Sequence, residues 1–183
     1  NGDGADGVAF VLQNQSINAG SSGGGLGYQG INPSFSVEFD TFFNAEGDPG
    51  TGADHISIIK NGNAGTITAH SEFATPYYVE LEDGQWHNAR FVWNAATKNF
   101  QFWYENVKRN DITIDLKADV FNNANYVYWG FTAATGGSMN LQQVEVQEYC
   151  TVRQVDLSLK PGTNNGSSAT TFCQGADVEL EAT

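Results

Sequence analysis

Positive charge is scarce in this chain. Eight Lys and Arg residues stand against 21 Asp and Glu, a net charge of −13 over 183 residues. That balance argues against a protein that grips nucleic-acid backbones or anionic membranes. Cysteine is almost missing. Cys150 and Cys173 form no Cys-x-x-Cys pair, which sets aside zinc ribbons and thioredoxin-type chemistry. They leave room for one disulfide outside the cytoplasm. No apolar run reaches the roughly 18 residues of a membrane span. Helical periodicity is also lacking, apart from one turn's worth at Leu116–Asn122. No Gly-x-Ser-x-Gly elbow is present for a serine nucleophile. The chain opens on Asn1 without a charged-then-apolar leader, so it reads as a processed product or a fragment.

What is there is β-forming. The composition is 40% hydrophobic and 13% aromatic, that of a folded domain with a sizeable core. Val8–Leu12 is a continuous apolar run, as in a strand buried on both faces. Ser34–Phe43 alternates, and His55–Ile59 is short and β-branched. Tyr77–Leu81, Ile112–Leu116, Tyr126–Thr132 and Leu141–Val146 add further strands. Trp86–Trp93 and Phe100–Tyr104 flank a polar turn and predict a hairpin. Many short strands with Gly- and Asn-rich joints predict a β-sandwich or jelly roll. After Val146 the texture changes: Val152–Leu159 alternates, 161–171 is polar, and a new alternation begins at Phe172. This divides the chain into a domain over 1–150 and, over 151–183, a linker with the opening of a second β module.

Chemistry concentrates in one stretch, Val37-Glu38-Phe39-Asp40-Thr41-Phe42-Phe43-Asn44 with Asp48 and His55. On a strand, Glu38, Asp40 and Phe42 share a face. Two carboxylates on one face repel unless a cation or a proton joins them. Asn44, Asp48 and His55 follow within a loop's reach. Their oxygens suit a hard cation such as Ca²⁺, and the carboxylate–imidazole mix suits a transition metal such as Mn²⁺. The bland alternative is an acidic strand end followed by a solvated loop. The glycine-rich segment Ser21–Gly27 reads as a tight loop whose bare amides allow close approach. It lacks the lysine of a phosphate cradle and precedes no helix. Of the other histidines, His87 reads as a sheet residue beside Trp86, and His70 has no acidic neighbour at a telling spacing. The aromatics read mostly as packing, with Phe42 singled out as a ring at a strand end that suits a sugar face.

These residues resemble a known family. Ala5-Asp6-Gly7-Val8-Ala9-Phe10, Gly23-Gly24-Gly25-Leu26-Gly27, the Glu38–Asn44 stretch with Asp48-Pro49 and His55, and Gly130-Phe131-Thr132-Ala133-Ala134-Thr135-Gly136 occur in the order found in the legume-type (L-type) lectins. Trp86-His87 after Asp83-Gly84 is similar to a back-sheet strand of that family. The resemblance covers roughly residues 2–148. It implies an all-β, concanavalin A-like jelly-roll sandwich that binds sugars without changing them. It makes Asp40, Asn44 and Asp48, with the Phe42 carbonyl, the Ca²⁺ ligands. Glu38, Asp40, Asp48 and His55 would hold the neighbouring transition metal, usually Mn²⁺. It also implies a cis peptide at Ala5–Asp6. Asp6 would accept hydrogen bonds from sugar hydroxyls, Asn44 and an amide of Gly24 or Gly25 would donate, and Phe42 would stack on the ring. Gly137 and Ser138 match the loop that tunes which sugar fits.

The spacing from Asp48 to His55 is longer than in plant members, and the family's strands before Ala5 are missing here. The tail is read as a separate module rather than their replacement, so incomplete sheets with exposed edges are expected. Phe172–Leu180 resembles the start of immunoglobulin-like modules of bacterial surface adhesins. The expected protein is therefore a Ca²⁺-dependent glycan-binding module of an extracellular bacterial adhesin. Its partners would be glycans and the other domains of its own polypeptide, with no nucleic acid and no membrane insertion. Two other readings stand beside it. One is a glycoside hydrolase using Glu38 and Asp40. Laminarinase-like hydrolases carry Glu-x-Asp-x-x-Glu on one strand, and here Phe43 takes the last place. The other is a structural adhesion module that metals merely stiffen.

Overall fold

A computed structural model describes residues 4–52, 54–147 and, as backbone, 176–182. Among these residues, ten strands make two antiparallel sheets. They are β1 Gly7–Gln13, β2 Ser34–Asp40, β3 His55–Lys60, β4 Tyr77–Tyr78, β5 Trp86–Asn94, β6 Asn99–Tyr104, β7 Val107–Thr113, β8 Tyr128–Ala134, β9 Gln142–Val146 and β10 Ala176–Ala182. The first sheet runs β4-β3-β2-β1-β8 and the second β7-β6-β5-β10-β9. Among the described residues, helix is confined to single turns at Gly23–Gly25, Ile67–Ser71 and Leu116–Val120. This is the expected all-β sandwich.

Period-two alternation sends alternate residues of the first sheet to opposite sides. Val8, Phe35, Val37, Phe39, Ile56 and Ile58 point inward, meeting Ala89, Phe100, Phe102 and Tyr104 of the second sheet. Rings interlock across the interface. Phe10 stacks on Phe91 at 4.2 Å, and Phe39 meets Phe102 edge-on at 5.9 Å. The outer face of the first sheet is covered as well. Ala9, Val11 and Ile59 pack there against Leu26, Tyr28, Ile31, Ala64 and Ala69. The glycine-rich loop and the segment before Ser71 thus form a second, smaller core. All seven residues of β2 are buried in consequence.

The sequence reading departs from the structure in three places. Tyr77–Leu81 shrinks to the two residues of β4. The strand expected at Ile112–Leu116 is instead Val107–Thr113, joined to β6 by a tight turn with both Glu105 and Asn106 at positive φ. Most consequentially, the alternation after Phe172 forms β10 inside the second sheet. It pairs Ala176–Glu181 with β5 and Val178–Ala182 with β9. Alternation marks a strand but does not say which sheet takes it. Cys150, Cys173 and Val152–Leu159 lie outside the described residues. Deleting 176–183 exposes the facing edges of β5 and β9. We expect a lower melting temperature and self-association by light scattering. An unchanged, monomeric chain would favour the separate-module reading of 151–183.

Candidate functional site: a buried carboxylate–imidazole cluster beneath converging loops

Register brings the acidic pair and the histidine together. Asp40 lies opposite Gly7 on β1 and His55 on β3, while Glu38 lies opposite Ala9 and Ser57. Small residues on β1 leave room beside both carboxylates. Gly7 is required in its own right: it sits at φ 133°, and a Cβ there would fall 2.3 Å from the Phe39 carbonyl oxygen. After Asp40 the chain turns away from the sheet. The Phe42 N–H donates to Asp40 Oδ1 at 2.8 Å. The Asn44 N–H donates to Asp48 Oδ2 at 2.5 Å, folding the loop back so that Asp48 returns to the cluster. Ligand-type atoms of Asp40, Asp48 and His55 lie within 4.8 Å of one another, as do those of Glu38, His55 and His70.

His70 and Tyr28 are the residues that sequence reasoning missed. Both descend from the layer covering the first sheet. Tyr28 donates its hydroxyl to Glu38 Oε2 at 2.5 Å. His70 Nε2 lies 3.0 Å from Glu38 Oε1, and His55 Nε2 lies 3.4 Å from the same oxygen. Neither residue carries a local motif; only the tertiary fold aims them at Glu38.

The electrostatics follow from burial. Burial pushes Asp40 up to about 9, helped by the negative charges of Glu38 and Asp48 and opposed by the Phe42 N–H. Burial also raises Glu38, but the adjoining His55 and His70 rings, which donate to it and carry charge when protonated, outweigh burial and bring that carboxyl down to about 2. Asp48 and Asp6 are both raised, with burial the leading cause. Buried Glu38 Oε1, His55 Nε2, His70 Nε2 and Asp6 Oδ2 have no ordinary hydrogen-bond partner. Lone pairs facing lone pairs in a dry site call for a cation or a proton. The donor set of carboxylate oxygens plus imidazole nitrogens therefore fits the implied metals.

Four loops meet beside this cluster. The Ala5–Asp6 peptide is cis. Asp6 is held by its N–H on the Ala134 carbonyl at 2.8 Å and by its own carbonyl accepting from Thr41 N–H at 3.1 Å. A Cβ on Gly136 would lie 3.3 Å from Asp6 Oδ2, so Gly136 borders this carboxylate. Gly137 faces open space, and the Ser138 carbonyl accepts from the Gly136 N–H at 3.1 Å. In the glycine-rich loop, a Cβ on Gly24 would lie 2.6 Å from Asn44 Oδ1. Gly25 instead packs inward against Ser21 and Gln29. Phe42 and Asn44 are half-buried at the same end. Thr132 Oγ1 ties this loop to β8 by donating to the Leu26 carbonyl at 2.9 Å. Asn140 joins the last loop to Thr41 through Nδ2 at 3.1 Å.

The two-sheet sandwich thus carries a buried acidic–imidazole cluster beside its end loops. The family model for the legume lectin beta-barrel domain matches residues 1–148, and the chain belongs to this L-type lectin family, a family of carbohydrate-binding proteins. It is 31% identical to agglutinin-2 of Cladrastis kentukea over 72% of this chain and 47% of that protein. It is 28% identical to the pesticidal crystal protein Cry22Aa of Bacillus thuringiensis, over 80% of this chain and 24% of that one. Among solved structures it resembles basic winged bean lectin with Tn-antigen, at 27% identity and TM-score 0.54, covering 73% of this chain and 54% of the other. The chain spans about half the length, or less, of these relatives.

Proposed function

We propose that this chain is a Ca²⁺-dependent glycan-binding domain of an extracellular bacterial adhesin, with β10 completing its second sheet. The observation that carries this reading is that Gly136 borders Asp6 and Gly24 borders Asn44, whose N–H is tied to Asp48 of the buried cluster. Asp40, Asn44 and Asp48, with the Phe42 carbonyl, would hold Ca²⁺; Glu38, Asp40, Asp48 and His55 would hold a transition metal. The ions would supply positive charge that lets the crowded carboxylates stay ionised and keeps the loops in place. The protein's own groups do the recognition. Asp6 accepts from two sugar hydroxyls, Asn44 and a glycine-loop amide donate, and Phe42 packs on the ring face. Gly137 and Ser138 border the space where sugars would be told apart.

Burial supports binding without bond cleavage. Glu38 is 0% exposed, with Tyr28 and His70 against its oxygens, and Asp40 is 2% exposed, so neither presents itself to a glycosidic bond. Among the described residues no helix is long and apolar enough to cross a membrane. Single sites open to water bind weakly, so the parent protein would act through several copies or domains. The test is a glycan array probed with the multimerised chain in Ca²⁺ and Mn²⁺, then in chelator. We expect binding that chelator removes. A folded, metal-loaded chain that binds no glycan would favour the structural module instead.

A further inference from the structure

We infer that His70 is itself a ligand at the transition-metal position, which makes that position a two-imidazole site selective for zinc-like ions over Mn²⁺. The inference rests on the metal reading above and extends it to a residue outside the expected ligand set. His70 sits on the turn Ile67–Ser71, in the layer covering the first sheet, and is fully buried. Its Nδ1 lies 3.1 Å from the Thr66 carbonyl oxygen. A carbonyl only accepts, so Nδ1 carries a proton, and in the neutral ring Nε2 then presents a lone pair. An outer partner of this kind fixes tautomer and orientation in metal-ligating histidines.

The lone pair is aimed at other lone pairs. Nε2 has no hydrogen-bond partner and lies 3.0 Å from Glu38 Oε1, which in turn is 3.4 Å from His55 Nε2. Glu38 Oε2 is taken up by the Tyr28 hydroxyl, so Oε1 is the oxygen that faces both rings. These spacings match the edges of a coordination shell. Ligands about 2.0–2.2 Å from one ion stand about 3.0 Å apart at right angles and about 3.4 Å apart at the tetrahedral angle. Glu38, His55 and His70 thus form three corners around one centre, and Asp40 and Asp48 border it through His55.

The chemical consequence is selectivity. Carboxylates and water suit Mn²⁺, whereas imidazoles favour the later first-row ions and zinc. A second imidazole moves the balance toward Zn²⁺, Co²⁺ or Ni²⁺. The competing explanation for the short contacts is a proton, giving a His70 imidazolium paired with Glu38 and no metal bond.

The whole chain, loaded with Ca²⁺ and one equivalent of Zn²⁺, is examined by X-ray absorption at the zinc edge, where multiple scattering counts imidazoles. We expect two. Competition titrations of Zn²⁺ against Mn²⁺ on the wild type and His70→Gln should show Zn²⁺ affinity falling about 10–100-fold, with Mn²⁺ falling less. One imidazole in the wild type overturns the inference and leaves the lectin reading intact. So does an unchanged Zn²⁺/Mn²⁺ ratio in a His70→Gln chain that folds by circular dichroism. Failure to bind any transition ion overturns both this inference and the metal part of the proposed function. If His70→Gln does not fold, the wild-type absorption spectrum decides alone.

Discussion

Asp6→Ala is expected to reduce glycan binding to background while Ca²⁺ and transition-metal titrations stay as in the wild type. Asp6 is 5% exposed, and its Oδ2 has no partner within the protein. A buried acceptor without a donor is costly, and a ligand hydroxyl would satisfy it. Hydrogen bonds to a charged group contribute about 1.5–3 kcal/mol each. Losing two removes about 3–6 kcal/mol, which is on the order of 10²–10⁴ in affinity. A weak single site does not survive that loss. The metals should be indifferent, because Asp6 is outside both groups of clustered ligand atoms. Asp6→Asn keeps the shape, gives up the charge and should fall between. Titration calorimetry with the array's best sugar separates the two functions. Normal glycan binding by folded Asp6→Ala would remove Asp6 from the site.

Much of this architecture can be read from local pattern, and the failures have a common cause. The apolar run Val8–Leu12 announced a strand buried on both faces, and β1 has a core on each side. The turn between β5 and β6 was legible from its polar residues. The turn between β6 and β7 was not, because Glu105 and Asn106 adopt left-handed backbone without the glycine that usually signals it. The edge strand that follows is rich in polar residues and hid its pattern. In the site, Glu38, Asp40, Asp48 and His55 fall close along the chain, so spacing alone grouped them. His70 and Tyr28 reach Glu38 only because the covering layer folds over β2. Gly136 was passed over for its neighbours Gly137 and Ser138, since nothing in the sequence says which of three small residues turns toward Asp6. Contacts made by one element lying over another leave no periodic trace.

The second large effect is a pH dependence that metal reverses. In the metal-free folded chain Asp40 sits at about 9, against about 3.9 for an unfolded aspartate. Between those values the folded state holds a proton that the unfolded state has released, so stability falls as pH rises and is lowest above the folded pKa. Asp48 and Asp6, also raised, add to the same slope, as does Asp54, which burial brings to about 6. Glu38 runs the other way. Its folded pKa of about 2 is below the ordinary value, so its contribution is present above the unfolded pKa of about 4.3 and is lost as pH falls toward 2. The metal-free chain should therefore be most stable near about pH 4–5 and weaken steadily toward about pH 9. A bound cation needs the deprotonated carboxylates, so metal binding strengthens over the same interval. Melting temperatures from about pH 4.5 to about pH 8.5, in chelator and in Ca²⁺ with Zn²⁺ or Mn²⁺, should diverge: falling without metal, level or rising with it. At a hundredfold excess over Kd the ions contribute about 2.7 kcal/mol, or roughly 5–10 °C for a chain of this size. Parallel profiles with and without metal would mean that the buried carboxylates are held by protons and that no ion binds among them.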